Sequence, residues 1–189
     1  MYISLPILLI LLGLLFSVFV YLWATYNAFI VARNKVKTDF ADVDVQLKRR
    51  ASLIANLVEV VRGYAKHERK TFENVAQARS VLDRPHSPKE SEKISNMLTD
   101  TLKTLFAVSE GYPELQASKN YQKLQDDLRT TEDSITQYRE TYNQSVLDYN
   151  TGIQIFPNLL VAGLFGFQEE EFFHPEPSEL TDVKITPEK

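Results

Sequence analysis

The sequence predicts an all-α protein: a single N-terminal transmembrane helix followed by an elongated antiparallel up-and-down helical bundle. Three observations carry that reading. The first 32 of the 189 residues contain no charged side chain. Beyond them, apolar residues recur at three- and four-residue steps, and no alternating strand pattern competes anywhere. Proline is absent between Ile7 and Arg84 and again between Glu114 and Phe156. Both stretches are therefore open to long helices, because an internal proline removes an N–H and clashes with the preceding turn.

The anchor comes first, over residues 1–26. From Ile3 to Leu22 the polar interruptions are Ser4, Ser17 and Tyr21. A run of about 20 residues at ~1.5 Å each spans roughly 30 Å, the hydrocarbon thickness of a bilayer. Tyr2 stands at one end, and Tyr21, Trp23 and Tyr26 at the other, where amphipathic rings favour the interface. A cleaved signal peptide would want a basic n-region, a shorter apolar run and a small-x-small cleavage site. None is present, so a retained anchor is expected. Arg33, Lys35 and Lys37 follow the span and nothing basic precedes it, so the positive-inside rule puts the helical domain in the cytoplasm.

The bundle domain is expected over residues 27–156. Val36, Phe40, Val43, Leu47, Ile54, Leu57, Val61, Tyr64, Phe72 and Val75 form one apolar stripe. Gly63 marks either a corner, giving four up-and-down helices, or a weak point in one continuous helix. The phase of the stripe runs through it, which argues for continuity. Ser87, Pro88 and Glu90 read as N-cap, N1 and N3 of a new helix with a capping box. That helix carries Ile94, Leu98, Leu102 (or Thr101), Leu105 and Val108, and Gly111-Tyr112-Pro113 ends or kinks it. The last long helix has the cleanest pattern, with Tyr121, Leu124, Leu128, Ile135, Tyr138, Tyr142, Tyr149, Ile153 and Phe156 at three-, four- and seven-residue steps. Such heptads pack against partner helices, within the chain or in a second copy.

Either layout brings the end of the last helix back to the membrane. Residues 157–167 are strongly apolar and too short to span. Phe156, Leu159, Leu160, Leu164, Phe165 and Phe167 are the candidate membrane-proximal contacts, lying in the interface. The alternative is a helix end folding over its own core. The tail, 168–189, holds 7 acidic and 2 basic residues with little to bury and is expected to be disordered.

The search for chemistry returns little. There is no cysteine, which excludes disulfides, a thiolate nucleophile and a lipobox anchor. Residues 33–167 hold 19 basic and 18 acidic residues, unlike the basic face of a nucleic-acid binder. His67, His86 and His174 lie in separate segments. Glu171 and His174 have the spacing of a di-iron pair, but no second pair exists, so no metal is expected. Asp126-Asp127 and Glu132-Asp133 read as a solvated helix face. Lys48-Arg49-Arg50 reads as ion pairing with acidic residues on a packed neighbour. Asn27, Asn56, Asn143 and Asn150 lie beside or within apolar faces, where buried amides fix helix register. There is no phosphate loop, nucleophile elbow or zinc motif. The expectation is a non-enzyme with no cofactor and no small-molecule substrate.

One set of residues goes further. Tyr26-Asn27, Arg33-Asn34 and Val36 follow the anchor, then Val43 through Arg50, Leu53-Ile54, Asn56 to Glu59 and Gly63-Tyr64. Tyr112-Pro113, Leu115, Leu124-Gln125, Leu128, Thr131-Glu132, Ile135, Arg139, Tyr142-Asn143, Tyr149-Asn150, Phe156-Pro157, Ala162 and Phe165-Gly166-Phe167 complete the series. In this order they resemble the LemA family over most of Tyr26 to Phe167. The family pattern has Asp and Pro where Ser52 and Ala55 stand here, and commonly Trp at Phe40, so a proline kink is not implied at Ala55. The resemblance implies an up-and-down bundle behind a single-pass anchor in the bacterial cytoplasmic (inner) membrane. It implies no activity and no catalytic residues. Some relatives are linked to magnetosome membrane formation, which leans towards scaffolding. The function expected is a membrane-anchored scaffold whose partners are the lipid bilayer, further copies of itself and another membrane protein. The alternative is a sensor or regulatory subunit signalling to a membrane protein such as a protease.

Overall fold

A computed structural model describes residues 5–64 and 69–174. The side chains at 69–72, 75 and 79 are outside that description, as are Tyr2, His67 and residues 175–189. Phe72 and Val75 of the apolar stripe therefore lie outside the described side chains. Among the described residues six helices follow in order: α1 (Leu5–Arg62), α2 (Arg69–Leu82), α3 (Pro88–Glu110), α4 (Pro113–Gln116), α5 (Lys119–Gln154) and α6 (Asn158–Phe165). No strand occurs among the described residues, so the fold is all-α. The chain divides into two units, one of Met1–Asp39 with Asn143–Glu171, the other of Phe40–Tyr142 with Phe172–Lys189.

The second unit is a helical bundle with an apolar core. Val43, Leu47, Ile54, Leu57 and Val61 of α1 are buried there, with Ile94, Leu98 and Leu105 of α3 and Tyr121, Leu128, Ile135 and Tyr142 of α5. Of the α5 pattern in this unit, Tyr121, Leu128, Ile135 and Tyr142 stand seven apart and are buried, whereas Leu124 and Tyr138 are half-buried. Small hydroxyl residues fill the remaining seam. Ser91, Ser95, Thr101 and Ser109 of α3 and Thr131 of α5 are buried. Thr101 and Thr131 donate back to carbonyls one turn earlier, at 2.8 Å each, which satisfies the hydroxyl without a partner helix. Ser109 shares a 2.6 Å hydrogen bond with the Tyr121 hydroxyl, so that buried ring keeps a polar partner.

α1 ends at Arg62, which corrects the continuity suggested by the apolar phase. The Gly63 N–H donates to Val60 O at 3.3 Å and the Tyr64 N–H to Val61 O at 2.9 Å, the tightened pattern of a closing turn. Tyr64 keeps the phase of the stripe yet is exposed, so phase alone did not decide the helix end. Burial resumes at Ala78 and Leu82 of α2, which packs against α3. α3 begins as the spacing predicts: Glu90 N–H donates to Ser87 Oγ at 3.3 Å, and Ser87 N–H donates to Glu90 Oε2 at 3.0 Å. Pro113 opens the separate short α4 after α3 has ended at Glu110, and does not kink a continuing helix.

The first unit buries Phe29 and Val36 of α1, Val146, Tyr149 and Ile153 of α5, and Val161 and Ala162 of α6. The apolar N-terminal part of α1 reaches a mean hydropathy of 2.7 over its richest 18-residue window, with none of that window buried. It is long and apolar enough to cross a membrane. α6 closes at Gly166, whose φ of 71° is the left-handed region that favours glycine. The Phe167 N–H then donates to Ala162 O at 3.0 Å, satisfying a carbonyl of the last turn.

Candidate functional site

In the first unit the aromatic end of the span and α6 meet. The Tyr21 hydroxyl donates to Asn158 Oδ1 at 2.7 Å, joining α1 to the first residue of α6. Tyr26 lies 4.9 Å from Phe165 and 5.7 Å from Phe167, centroid to centroid, and Phe29 lies 5.1 Å from Phe167, all within the range of favourable ring pairs. A groove of about 310 Å³ runs beside these contacts, lined by Phe19, Leu22, Trp23, Tyr26 and Phe165.

α6 turns its small residues inward and its large ones out. Val161 and Ala162 are buried, whereas Phe156, Leu159, Leu160, Leu164 and Phe165 are 80%, 53%, 66%, 70% and 49% exposed. Phe167 is half-buried. The candidate contacts named from sequence thus gather at one end of this unit, with Tyr21, Trp23 and Tyr26 beside them. α6 thus packs on the unit's core through Val161 and Ala162 and leaves its larger side chains exposed.

The acidic segment begins differently from its composition. Glu170 is tied twice to Asn150: the Asn150 Nδ2 donates to Glu170 O and the Glu170 N–H donates to Asn150 Oδ1, both at 2.9 Å. The Arg33 Nε donates to Glu170 Oε1 at 2.8 Å. In the second unit Phe173 is buried, 5.1 Å from the Tyr142 ring and 5.9 Å from Phe40, with the Arg139 guanidinium 5.5 Å from its ring centre. Composition assigns 168–174 to a disordered tail, but the Asn150 side chain holds the Glu170 backbone by two hydrogen bonds and the Phe173 ring is buried. Residues 175–189 lie outside the described residues. Asn150→Ala removes both hydrogen bonds, and amide exchange at Glu170 should accelerate by about tenfold, for a loss of order 1–1.5 kcal/mol.

Asn150 is the buried one of the four asparagines; Asn27 and Asn56 are exposed and Asn143 is half-buried. It fixes a returning segment and not helix register. Beside it, the Tyr149 hydroxyl is buried and finds no hydrogen-bond partner among the described residues. Burial pushes it above the ordinary value of 10.0; Arg33 draws it down and Glu170 pushes it up. Because the folded state holds this proton more tightly than the unfolded chain, stability is fully present below pH ~10 and falls as pH rises beyond it. Tyr149→Phe should leave stability at neutral pH unchanged or raised by up to ~1 kcal/mol, and should flatten that alkaline loss in unfolding measured from pH 8 to 11.

The second unit carries a buried charge. Val43, Arg50 and Leu57 stand seven apart on α1, so Arg50 occupies a core position, and it is 2% exposed. Its Nη1 donates to Ser95 Oγ at 3.2 Å and its Nη2 to Thr99 Oγ1 at 3.0 Å. The same Nη2 lies 2.9 Å from Glu132 Oε2. The ion pairing expected of the basic cluster is thus realised at Arg50, with a glutamate that sequence reasoning had placed on a solvated face. Lys48 reaches Asp83 at 4.0 Å. A groove of about 370 Å³ lies over this pair, between α3 and α5.

The His86 side chain is almost fully buried, a structural histidine. Its Nε2 is 3.0 Å from Asp44 Oδ1 and its Nδ1 is 2.7 Å from Arg84 O, with the Phe40 ring 5.8 Å away. His174 stands 3.7 Å from Glu92. No group of three or more potential metal-ligating side chains occurs among the described residues.

Comparison with known proteins adds the relationship. Magnetosome protein MamQ of Magnetospirillum gryphiswaldense is 28% identical, with 86% of this chain and 69% of that protein aligned. Magnetosome protein MamQ 2 of Paramagnetospirillum magneticum is 25% identical over the same shares. Protein LemA of Metamycoplasma hominis is 25% identical, covering 80% of this chain and 69% of its own length. The LemA family model matches residues 39–186, well over half of the sequence, and the chain belongs to the LemA family.

Proposed function

We propose that this membrane-associated helical protein is a non-enzymatic scaffold that touches its bilayer twice, through α1 and through α6, and holds copies of itself or a partner protein there. The observation that supports it most is the outward row of Phe156, Leu159, Leu160, Leu164 and Phe165 beside the aromatic end of an exposed apolar span. Apolar side chains this large gain roughly 1.5–3 kcal/mol each on leaving water, which favours an interfacial position for α6. The helical domain faces the cytoplasm, as Arg33, Lys35 and Lys37 favour. That two similar proteins are magnetosome proteins fits a role in organising a membrane region.

A label at Phe165 in reconstituted bilayers tests the second contact. Quenchers fixed at shallow acyl depth should suppress it, and full accessibility to an aqueous quencher ends the interfacial reading. Crosslinking in native membranes tests self-association, where a strictly monomeric species at native expression counts against it.

A second reading, a regulatory subunit that signals to another membrane protein, is supported by the mainly apolar groove between α3 and α5, which offers a partner a place to dock. Ligand or partner binding there should alter exchange protection in α6; a passive scaffold would show no such change.

A further inference from the structure

We propose that the groove beside α6 is a binding site for one acyl chain of a membrane phospholipid. This deepens the reading of α6 as a membrane contact and rests on it. Phe19, Leu22, Trp23 and Tyr26 stand at i, i+3, i+4 and i+7, which aligns them along one face of α1. Phe165 of α6 forms the opposing wall. None of the five carries a charge.

The wall is fixed, not a chance gap. The Tyr21–Asn158 hydrogen bond at 2.7 Å and the Tyr26–Phe165 ring contact at 4.9 Å hold α6 against α1 on its flank. The Phe167 ring, against both Tyr26 and Phe29, secures the end of the same helix.

Size selects the occupant. The groove offers about 310 Å³. One turn of a helix with its side chains, ~10–12 Å across and ~5.4 Å long, fills roughly 400–600 Å³. A whole helical turn is larger than the groove, whereas the width of an extended hydrocarbon chain is not, so the groove takes a stretch of such a chain. Continuity points the same way. Leu12, Leu15, Phe16 and Phe19 of the span are all exposed and apolar, so a chain lying along the span runs into the groove without crossing a polar surface.

Trp23 is the single tryptophan of the chain, so its fluorescence reports this site alone. The full-length protein in mild detergent is titrated with phosphatidylcholine carrying brominated acyl chains, which quench on contact. Quenching should saturate near one lipid per chain, and excess unbrominated phosphatidylcholine should reverse it. Phe165→Ala removes one wall and should raise the half-quenching concentration about fivefold, the loss expected of one aromatic contact. Val31→Ala, exposed on α1 and outside the groove, should leave it unchanged. Quenching that rises linearly with lipid, with Phe165→Ala matching the parent, overturns the site. The same measurement in vesicles of pure brominated phosphatidylcholine separates the two readings. Strong quenching there keeps the membrane contact even if the site fails, and unquenched Trp23 there removes both.

Discussion

Glu132→Ala should lower the unfolding temperature by about 6–12 °C, corresponding to a loss near 3 kcal/mol. Arg50 is 2% exposed and sits at a core position of α1, so losing the carboxylate 2.9 Å away removes a charge partner from a side chain that is held largely out of water. The Ser95 and Thr99 hydroxyls remain, and they place the loss at the lower end of the range for breaking a buried pair. The asymmetry is the sharper test. Arg50→Met removes the buried charge, fills the space with a flexible side chain, and leaves a glutamate whose side chain is already 45% exposed. It should cost less than about 1 kcal/mol. Circular dichroism melts of the detergent-solubilised chain would show the order. Equal losses for the two variants would mean that the pair behaves as an ordinary surface salt bridge.

Tyr142→Ala should be the more damaging core change, at about 4 kcal/mol. The ring is 2% exposed and lies against Phe40 at 5.7 Å and Phe173 at 5.1 Å. Its removal leaves a void that the surrounding helices fill only in part, and it deprives Phe173 of a wall. Two readouts should move together: the melt, and protease cleavage beside Phe173. Tyr142→Phe keeps the ring and should preserve protection of that segment, which separates packing from the hydroxyl.

What could be read from sequence was local. The apolar N-terminal helix, the Ser87–Glu90 capping box and the seven-residue series of α5 are each set by residues within a few turns of one another. The cap forms as its spacing predicts, and the series is buried from Tyr121 to Tyr149, while Phe156 lies beyond the helix and is exposed. The end of α1 was not legible, because the apolar phase continues past Gly63 and burial of Tyr64 depends on what packs there. Arg50 left a trace: it fills the slot between Val43 and Leu57 in a seven-residue series. Its basic neighbours Lys48 and Arg49 hid that position within a surface-looking cluster. Glu170 and Phe173 were missed for another reason. Asn150 and Glu170 meet across 20 residues of chain, and net charge says nothing about which acidic residue a buried amide will hold. The paired aromatics Phe172 and Phe173 inside an acidic run were the available signal.

The exposed span has a consequence for partner choice. A molecule held at a membrane searches a surface and not a volume, and its fixed anchor has already given up part of the orientational freedom that association would otherwise remove. Contacts too weak to form in dilute solution can then populate a complex. Val45 and Leu147, apolar and exposed outside the span, are modest on a free protein. In the proposed membrane-held state each would count for more, and the proposed assembly would disperse on extraction and re-form as surface density rises.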